Sequence, residues 1–267
     1  MKYTISVIKD PYKGAPDFLK ETLESLIDPS DEYHMNHKRR YVRTIQVLLD
    51  QIPSGKLLEL GTSNLLPLAL KTLAPELEIK VTDFDLSNPQ VWEKTISMGS
   101  ETKSYVAYSV DLEKTKIPSP DEIFDYVICS EVLEHMEIDP MFMLSEVNRV
   151  LKPNGTLILT TPNVVSSHGI TKMLMGIEPY FFMQYHKPGN YHRHNYEYSV
   201  HSLVKVIQAA GFDGSIWTED TFEEPILSSV ETLRASGFKI ENIGDNIFVV
   251  AKKKGPVVDR YPKDIYV

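Results

Sequence analysis

The chain of 267 residues carries 28 Lys and Arg against 37 Asp and Glu, a formal charge of −9, with 42% hydrophobic and 24% charged residues. That length allows one sizeable core, alone or with a cap, in an ordinary globular composition. The acidic balance, spread without long single-sign runs, argues against nucleic acid as a partner, because such binding is carried by Lys and Arg. The local basic cluster His37–Arg40 with Arg43 reads as a solvated helix face. A single cysteine, Cys129, excludes an internal disulfide framework and fits a reducing compartment. The start, MKYTISVIKDPYKG, lacks the apolar stretch of a signal peptide, and no later run suits a membrane span. The expectation is a cytoplasmic protein with no membrane partner; nothing in the sequence sets its oligomeric state.

Residues 1–35 show weak periodicity, with a short helix at Pro16–Leu26, and read as an N-terminal extension packed on the main body. From Asn36 to Ile52, Tyr41, Ile45, Leu48 and Leu49 recur at helical spacing, and Pro53-Ser54-Gly55 ends that helix. KLLELG is a strand with a glycine directly after it, followed by a helical pattern over Leu65–Leu73. Such a β-turn-α unit opens a doubly wound sheet; its glycine admits a ligand close to the backbone, and the helix start offers free N–H groups. A second strand, Glu78–Val81, ends in TDFD, and a third, Tyr105–Val110, ends in Asp111-Leu112. The fourth lies in FDYVICS, before a helix at Met141–Leu151, the turn KPNG and a fifth strand at Thr156–Thr161. This alternation predicts an α/β fold with a doubly wound, mostly parallel sheet and right-handed crossovers. Residues 164–198 break the rhythm with Met173, Met175, Tyr180, Phe181, Phe182, Met183 and Tyr185, and read as a lid inserted after the fifth strand. A helix at Ser199–Ala210, the strand SIWTE, a helix at Glu224–Ala235 and the strand Ile247–Ala251 complete a domain spanning 36–254. Residues 255–267 form a tail.

The densest chemistry lies in Phe124–Met136, FDYVICSEVLEHM. A short apolar run, Tyr126-Val127-Ile128, breaks into Cys129-Ser130, and a helix-compatible segment with Glu131, Glu134 and His135 follows. In an open α/β sheet, ligands bind beyond the carboxyl ends of strands. Positions i, i+3 and i+4 share one helix face, so the three side chains could converge on a metal or a proton. The residues alone also admit an amphipathic helix start with Glu131 at the dipole's positive end and His135 exposed.

A nicotinamide-binding unit wants G-x-G-x-x-G after its first strand, but ELGTSNLLP has one glycine. What stands there instead is Glu59 before the glycine, with Asp83 and Asp85 after the second strand and Asp111 after the third. Acids placed for an ammonium, a ribose diol and an adenine amino group together describe S-adenosylmethionine. KLLELG, VTDFDLS, VDLEK, FDYVICSEVLEHM, EVNRVLKPNGTLILTTPN and AAGF resemble, in order, the motifs of class I S-adenosylmethionine-dependent methyltransferases, whose fold is Rossmann-like. The resemblance covers roughly 56–212, with FVVAKKK similar to the family's last antiparallel strand. It implies that Glu59, Gly61 and Thr62 line the methionine moiety, and that Asp85 holds the ribose, with Asp83 as its rival. It further implies Asp111 and Leu112 at adenine and Ser130 beneath the cofactor. Thr62-Ser63-Asn64 departs from the family's usual second and third glycines.

E-V-L-E-H is similar to the metal-binding E-x-x-E-H of small-RNA 3′-end 2′-O-methyltransferases, and ubiquinone-pathway O-methyltransferases carry a like segment. The RNA enzymes place a further histidine downstream in H-x-F-E-W; here His194-Asn195-Tyr196-Glu197-Tyr198 follows Thr161-Pro162-Asn163. The resemblance implies a divalent cation, Mg²⁺, Mn²⁺, Fe²⁺, Co²⁺ or Zn²⁺, on Glu131, Glu134, His135 and His194. His135, His194 and His192 are the catalytic candidates, His192 as a spare general base, with His168 and His186 behind it; Arg193 could meet an anionic substrate group. The expected activity is O-methylation of a small polar molecule, a sugar or glycosylated metabolite. The alternatives are RNA 2′-O-methylation, amino-sugar N-methylation and a non-catalytic S-adenosylmethionine-binding protein.

Overall fold

The structure, a computed structural model, describes residues 2–3 (backbone only), 12–52, 54–183, 185, 193–263 and 265–267. The candidate histidines His186 and His192 lie outside the described residues. Among the described residues, nine strands form one sheet in the order β1-β8-β9-β7-β6-β2-β3-β5-β4. They are β1 (Lys2–Tyr3), β2 (Gly55–Leu60), β3 (Leu77–Asp83), β4 (Val91–Met98), β5 (Glu101–Ser109), β6 (Phe124–Ser130), β7 (Leu151–Pro162), β8 (Phe212–Glu219) and β9 (Asn246–Lys253). The central strands β7, β6, β2, β3 and β5 pair in parallel, while β4 and β9 run against their neighbours. The doubly wound, mostly parallel sheet expected from the sequence is therefore present. Its chain order reverses between β6 and β2, where this architecture leaves a crevice at the carboxyl edge.

The pleat sorts side chains onto two buried layers. In β6, Val127 and Cys129 join a cluster with Leu58, Leu60, Met141, Leu144 and Val147, whereas Ile128 joins Leu57, Val81 and Ile158 on the other face. The first cluster is covered by α5 (Pro140–Val150) and α7 (Val200–Ala209). The second is covered by α1 (Asp17–Leu26), α3 (Lys38–Gln51) and α4 (Leu65–Leu73). Leu19, Leu23 and Leu26 of α1 share that second layer with Val42, Ile45 and Leu48 of α3, so the N-terminal helices are part of the core. A short α2 (Glu32–Asn36) precedes α3, α6 (Ser167–Leu174) follows β7, and α8 (Leu227–Ala235) lies between β8 and β9.

One strand adds to those expected, and two local expectations change. The segment Val91–Met98 is a strand that pairs antiparallel with β5, Val91 opposite Tyr108 through Met98 opposite Glu101. Only Ile96 of β4 is buried, so its alternation carries almost no hydrophobic signal. KPNG lies within β7 as a bulge: Phe124 faces Leu151 but Tyr126 faces Thr156, and Asn154 takes φ +61°. The helix expected to carry Glu131, Glu134 and His135 is replaced by one 3₁₀ turn, Leu133–His135. Glu131 sits at φ +55° and Val132 at φ −125°, neither compatible with an α-helix, and Asp139 then caps a fresh helix whose first residue is Pro140.

Candidate active site

At the carboxyl end of β2, Glu59 is buried and accepts from Ser63 N (3.1 Å) and Ser63 Oγ (2.9 Å). Its Oε2 has no hydrogen-bond partner, and burial pushes its pKa above the usual carboxylate value against the Ser63 hydrogen bonds. Gly61 takes φ +59° and donates to Thr82 Oγ1 at 2.8 Å. A Cβ at Gly61 would lie 2.9 Å from Val132 Cγ2, so this loop packs directly on the segment that leads into the 3₁₀ turn. Thr62 N donates to the Thr82 carbonyl at 3.1 Å.

The acids of the next strands have separate settings. Asp83 pairs with Lys94 of β4, while Asp85 is exposed and accepts from Ser87 N and Oγ, which lowers its pKa. The hairpin missed in the sequence thus occupies Asp83 and leaves Asp85 open to solvent. Asp111 accepts from Glu113 N at 3.0 Å and Lys114 Nζ at 3.1 Å, and Leu112 is buried beside it. Glu113 in turn accepts from the backbone of Glu137, Ile138 and Asp139, joining this loop to the 3₁₀ turn's exit. Ser130 Oγ contacts Thr160 Oγ1 at 2.9 Å and accepts a long 3.5 Å hydrogen bond from Arg40 Nη1.

Arg40 was not singled out in the sequence beyond its basic cluster. It is 3% exposed, its Nε has no partner, and it lies over the Tyr41 ring at 4.6 Å. Burial works against its charge, but Glu131, Tyr41, Tyr33 and Glu134 outweigh this and raise its pKa. A neighbouring arginine, Arg43, holds Glu219 through both oxygens. Nothing in a helical pattern distinguishes such arginines from solvated ones.

The metal-type residues divide. Glu134, His135 and His194 bring one ligand atom each within 4.8 Å of one another, and the two imidazoles meet edge to face at 5.0 Å. Glu131 lies apart, accepting from Thr160 Oγ1 (2.7 Å) and Asn246 Nδ2 (3.1 Å). Glu134 is fully buried; Oε2 accepts from Thr161 Oγ1 at 2.8 Å, and Oε1 has no hydrogen-bond donor. Burial first, and Glu131 second, raise its pKa well above the carboxylate range. His135 Nδ1 bonds the Arg193 carbonyl at 2.9 Å, and His194 Nδ1 bonds Glu197 Oε1 at 2.8 Å. Each ring is thereby held through its Nδ1, and His135 Nε2 stands 4.0 Å from Glu134 Oε1. Asn195 N and Nδ2 donate to the carbonyls of Glu134 and His135, so loop and turn form one unit. The Phe182 ring meets His194 edge to face at 5.2 Å. His168 stands elsewhere, on Glu223 and the Glu224 carbonyl.

A methyltransferase-domain family model matches residues 33–215, from α2 into β8. The chain belongs to the methyltransferase-domain family. The family's donor, S-adenosylmethionine, is the one the acids at the sheet edge had suggested. A ubiquinone biosynthesis O-methyltransferase from Xanthomonas campestris pv. campestris is 30% identical over 112 residues, which are 42% of this chain and 45% of that protein. The chain therefore spans less than half the length of the curated relatives it matches. Solved S-adenosylmethionine-dependent methyltransferases share the fold. One from Thermotoga maritima has 17% identity, TM-score 0.54, and coverage of 89% of this chain and 100% of that one. One from Archaeoglobus fulgidus has 15% identity, TM-score 0.51, and coverage of 85% and 100%. No helix among the described residues is long and apolar enough to cross a membrane.

Proposed function

We propose that this methyltransferase-family chain is an S-adenosylmethionine-dependent O-methyltransferase acting on a hydroxyl of a small polar acceptor, a sugar or glycosylated metabolite, with a divalent cation assisting. The single buried Cys129 is the reason to place it in the cytoplasm. Support for the donor site is the unpartnered Glu59 Oε2, which an ammonium would satisfy, beside Gly61, whose left-handed backbone turns the chain sharply at the end of the strand. Gly61 and Thr62 would flank the methionine moiety, Asp85 would accept from the ribose hydroxyls, Asp111 and Leu112 would take adenine, and Ser130 would lie beneath. Arg40, whose buried Nε has no hydrogen-bond partner, would meet the donor's carboxylate.

The observation that carries the acceptor side is the Glu134–His135–His194 cluster with its unpartnered Oε1. A mixed oxygen and nitrogen set of this kind suits Mg²⁺, Mn²⁺, Fe²⁺, Co²⁺ or Zn²⁺. A cation there would lower the pKa of an acceptor hydroxyl, which is a poor nucleophile at neutral pH. Glu131, held by Thr160 and Asn246, would contribute charge from outside that set. The residues' own work is alignment: Thr161, Arg193 O and Glu197 hold the three side chains so that the acceptor oxygen meets the methyl group in line.

Calorimetry and turnover test this together. S-adenosylhomocysteine should bind wild type and His194→Ala alike, while methyl transfer to a dihydroxy sugar or arene panel should stop on chelation and in His194→Ala. Transfer that persists through both treatments would remove the metal-assisted reading and leave the donor assignment standing.

A further inference from the structure

Arg193 carries a charge that the described residues leave unmatched beside the candidate site. Four arginines pair with acids, Arg39 with Glu224, Arg43 with Glu219, Arg149 with Glu146 and Arg260 with Asp139; Arg234 donates to the Ile240 carbonyl, and Arg40, at the donor side, has a long hydrogen bond to Ser130 and an unpartnered Nε. Among the described residues the Arg193 guanidinium makes no hydrogen bond or ion pair, and its Nε is buried without a partner. The Tyr185 ring lies 6.0 Å from its Cζ. The side chain is half-buried, so water does not fully compensate it. Its backbone is fixed in the site, because its carbonyl accepts from His135 Nδ1 and the next residue is His194.

We propose that Arg193 binds an anionic group on the methyl acceptor, a carboxylate or a phosphate, and so determines which acceptors the site takes. The assignment rests on the methyltransferase reading above and adds the acceptor's charge. The acceptor oxygen would lie at Glu134, His135 and His194, and the anion within one arginine side chain of it. A planar guanidinium offers a paired N–H edge that matches the two oxygens of either anion. Among the described residues the Tyr185 ring, 6.0 Å from Cζ, makes no hydrogen bond that would compete with an anion. An unpaired cation at this position favours an anionic acceptor over a neutral one.

The test uses the full chain, ¹⁵N-labelled at arginine and bound to S-adenosylhomocysteine, titrated with benzoate, inorganic phosphate and neutral benzamide. The Arg193 Nε–H resonance, assigned by its loss in Arg193→Met, should shift saturably with at least one anion and not with benzamide. Arg193→Met should weaken that anion by about ten- to hundredfold, the loss expected for a charge-assisted pair. Benzoate alone points to a carboxylate, and phosphate alone to a phosphoryl group. A resonance that neither anion moves, or a methionine variant that binds both as wild type does, overturns the assignment. Calorimetry separates the failures: no S-adenosylhomocysteine binding by wild type takes down both readings, whereas normal binding with a silent Arg193 takes down this one alone.

Discussion

Asp220 gives the most quantitative electrostatic test of the structure. It follows β8 at 9% exposure, its Oδ1 has no partner, and its pKa is pushed from 3.8 up to about 6. Burial is the main cause and Asp245 the second, with the Asp245 backbone hydrogen bond and His168 acting the other way. Asp245 is itself committed, accepting from the backbone N–H groups of Thr221, Phe222 and Glu223 that form the loop in front of α8. In the unfolded chain Asp220 releases its proton near 3.8 and in the folded chain near 6, so between these values the native state binds more protons. Stability therefore falls as pH rises through that window, and the full penalty applies above it. At about 1.4 kcal/mol per pH unit the gap corresponds to about 3 kcal/mol, which residual water access reduces to about 1–3 kcal/mol. Asp220→Asn keeps the shape and can still accept from the Asp245 N–H. It should stabilise the protein by about 1–3 kcal/mol at about pH 8, a rise of several degrees in Tm, and make no difference near pH 4. Urea titrations of both proteins at the two pH values read this directly. A variant less stable than wild type at the higher pH, or one with the same difference at both, would refute the reasoning.

Gly61→Ala combines a left-handed backbone with a Cβ 2.9 Å from Val132 Cγ2. It should cost about 2–4 kcal/mol in stability and weaken S-adenosylhomocysteine at least about tenfold by calorimetry; unchanged affinity would show that the loop does not touch the donor. His194→Ala and Glu134→Gln should each abolish Mn²⁺ binding while leaving S-adenosylhomocysteine affinity within about twofold, so Mn²⁺ retained by either variant counts against the cluster as a cation site. Because burial and Glu131 raise the Glu134 pKa, a cation must displace its proton. Mn²⁺ affinity should fall as pH is lowered, with proton release visible as a buffer-dependent enthalpy; a pH-independent affinity would contradict this.

The parallel sheet was readable because its strands are short apolar runs ending in acids or glycine, and helix α4 spans the same Leu65–Leu73 the periodicity picks out. The β4–β5 hairpin was not, since an edge strand with one buried side chain looks like a polar loop. Its cost to the site reading was real: Lys94 settles which acid is occupied, and Lys94 belongs to the missed strand. Arg40 was hidden for a different reason. Helical spacing puts it in a basic run, and only the packing of α3 against the sheet edge buries it opposite Ser130.

The turn Leu133–His135 also explains how the adjacent Glu134 and His135 come to face one point. On an α-helix, successive side chains diverge by about 100°, so Glu134 and His135 would face different surroundings. Here each is held by its own partner from elsewhere in the chain, Glu134 by Thr161 of β7 and His135 by the Arg193 carbonyl. Asn195 then clamps both carbonyls from the same loop that delivers His194. A Glu-His pair after β6 is consequently a turn and nothing more until residues 193–197 close over it. The three side chains are therefore gathered by the downstream loop, which supplies His194 and both clamping bonds, and not by the helical face that i, i+3 and i+4 spacing would offer.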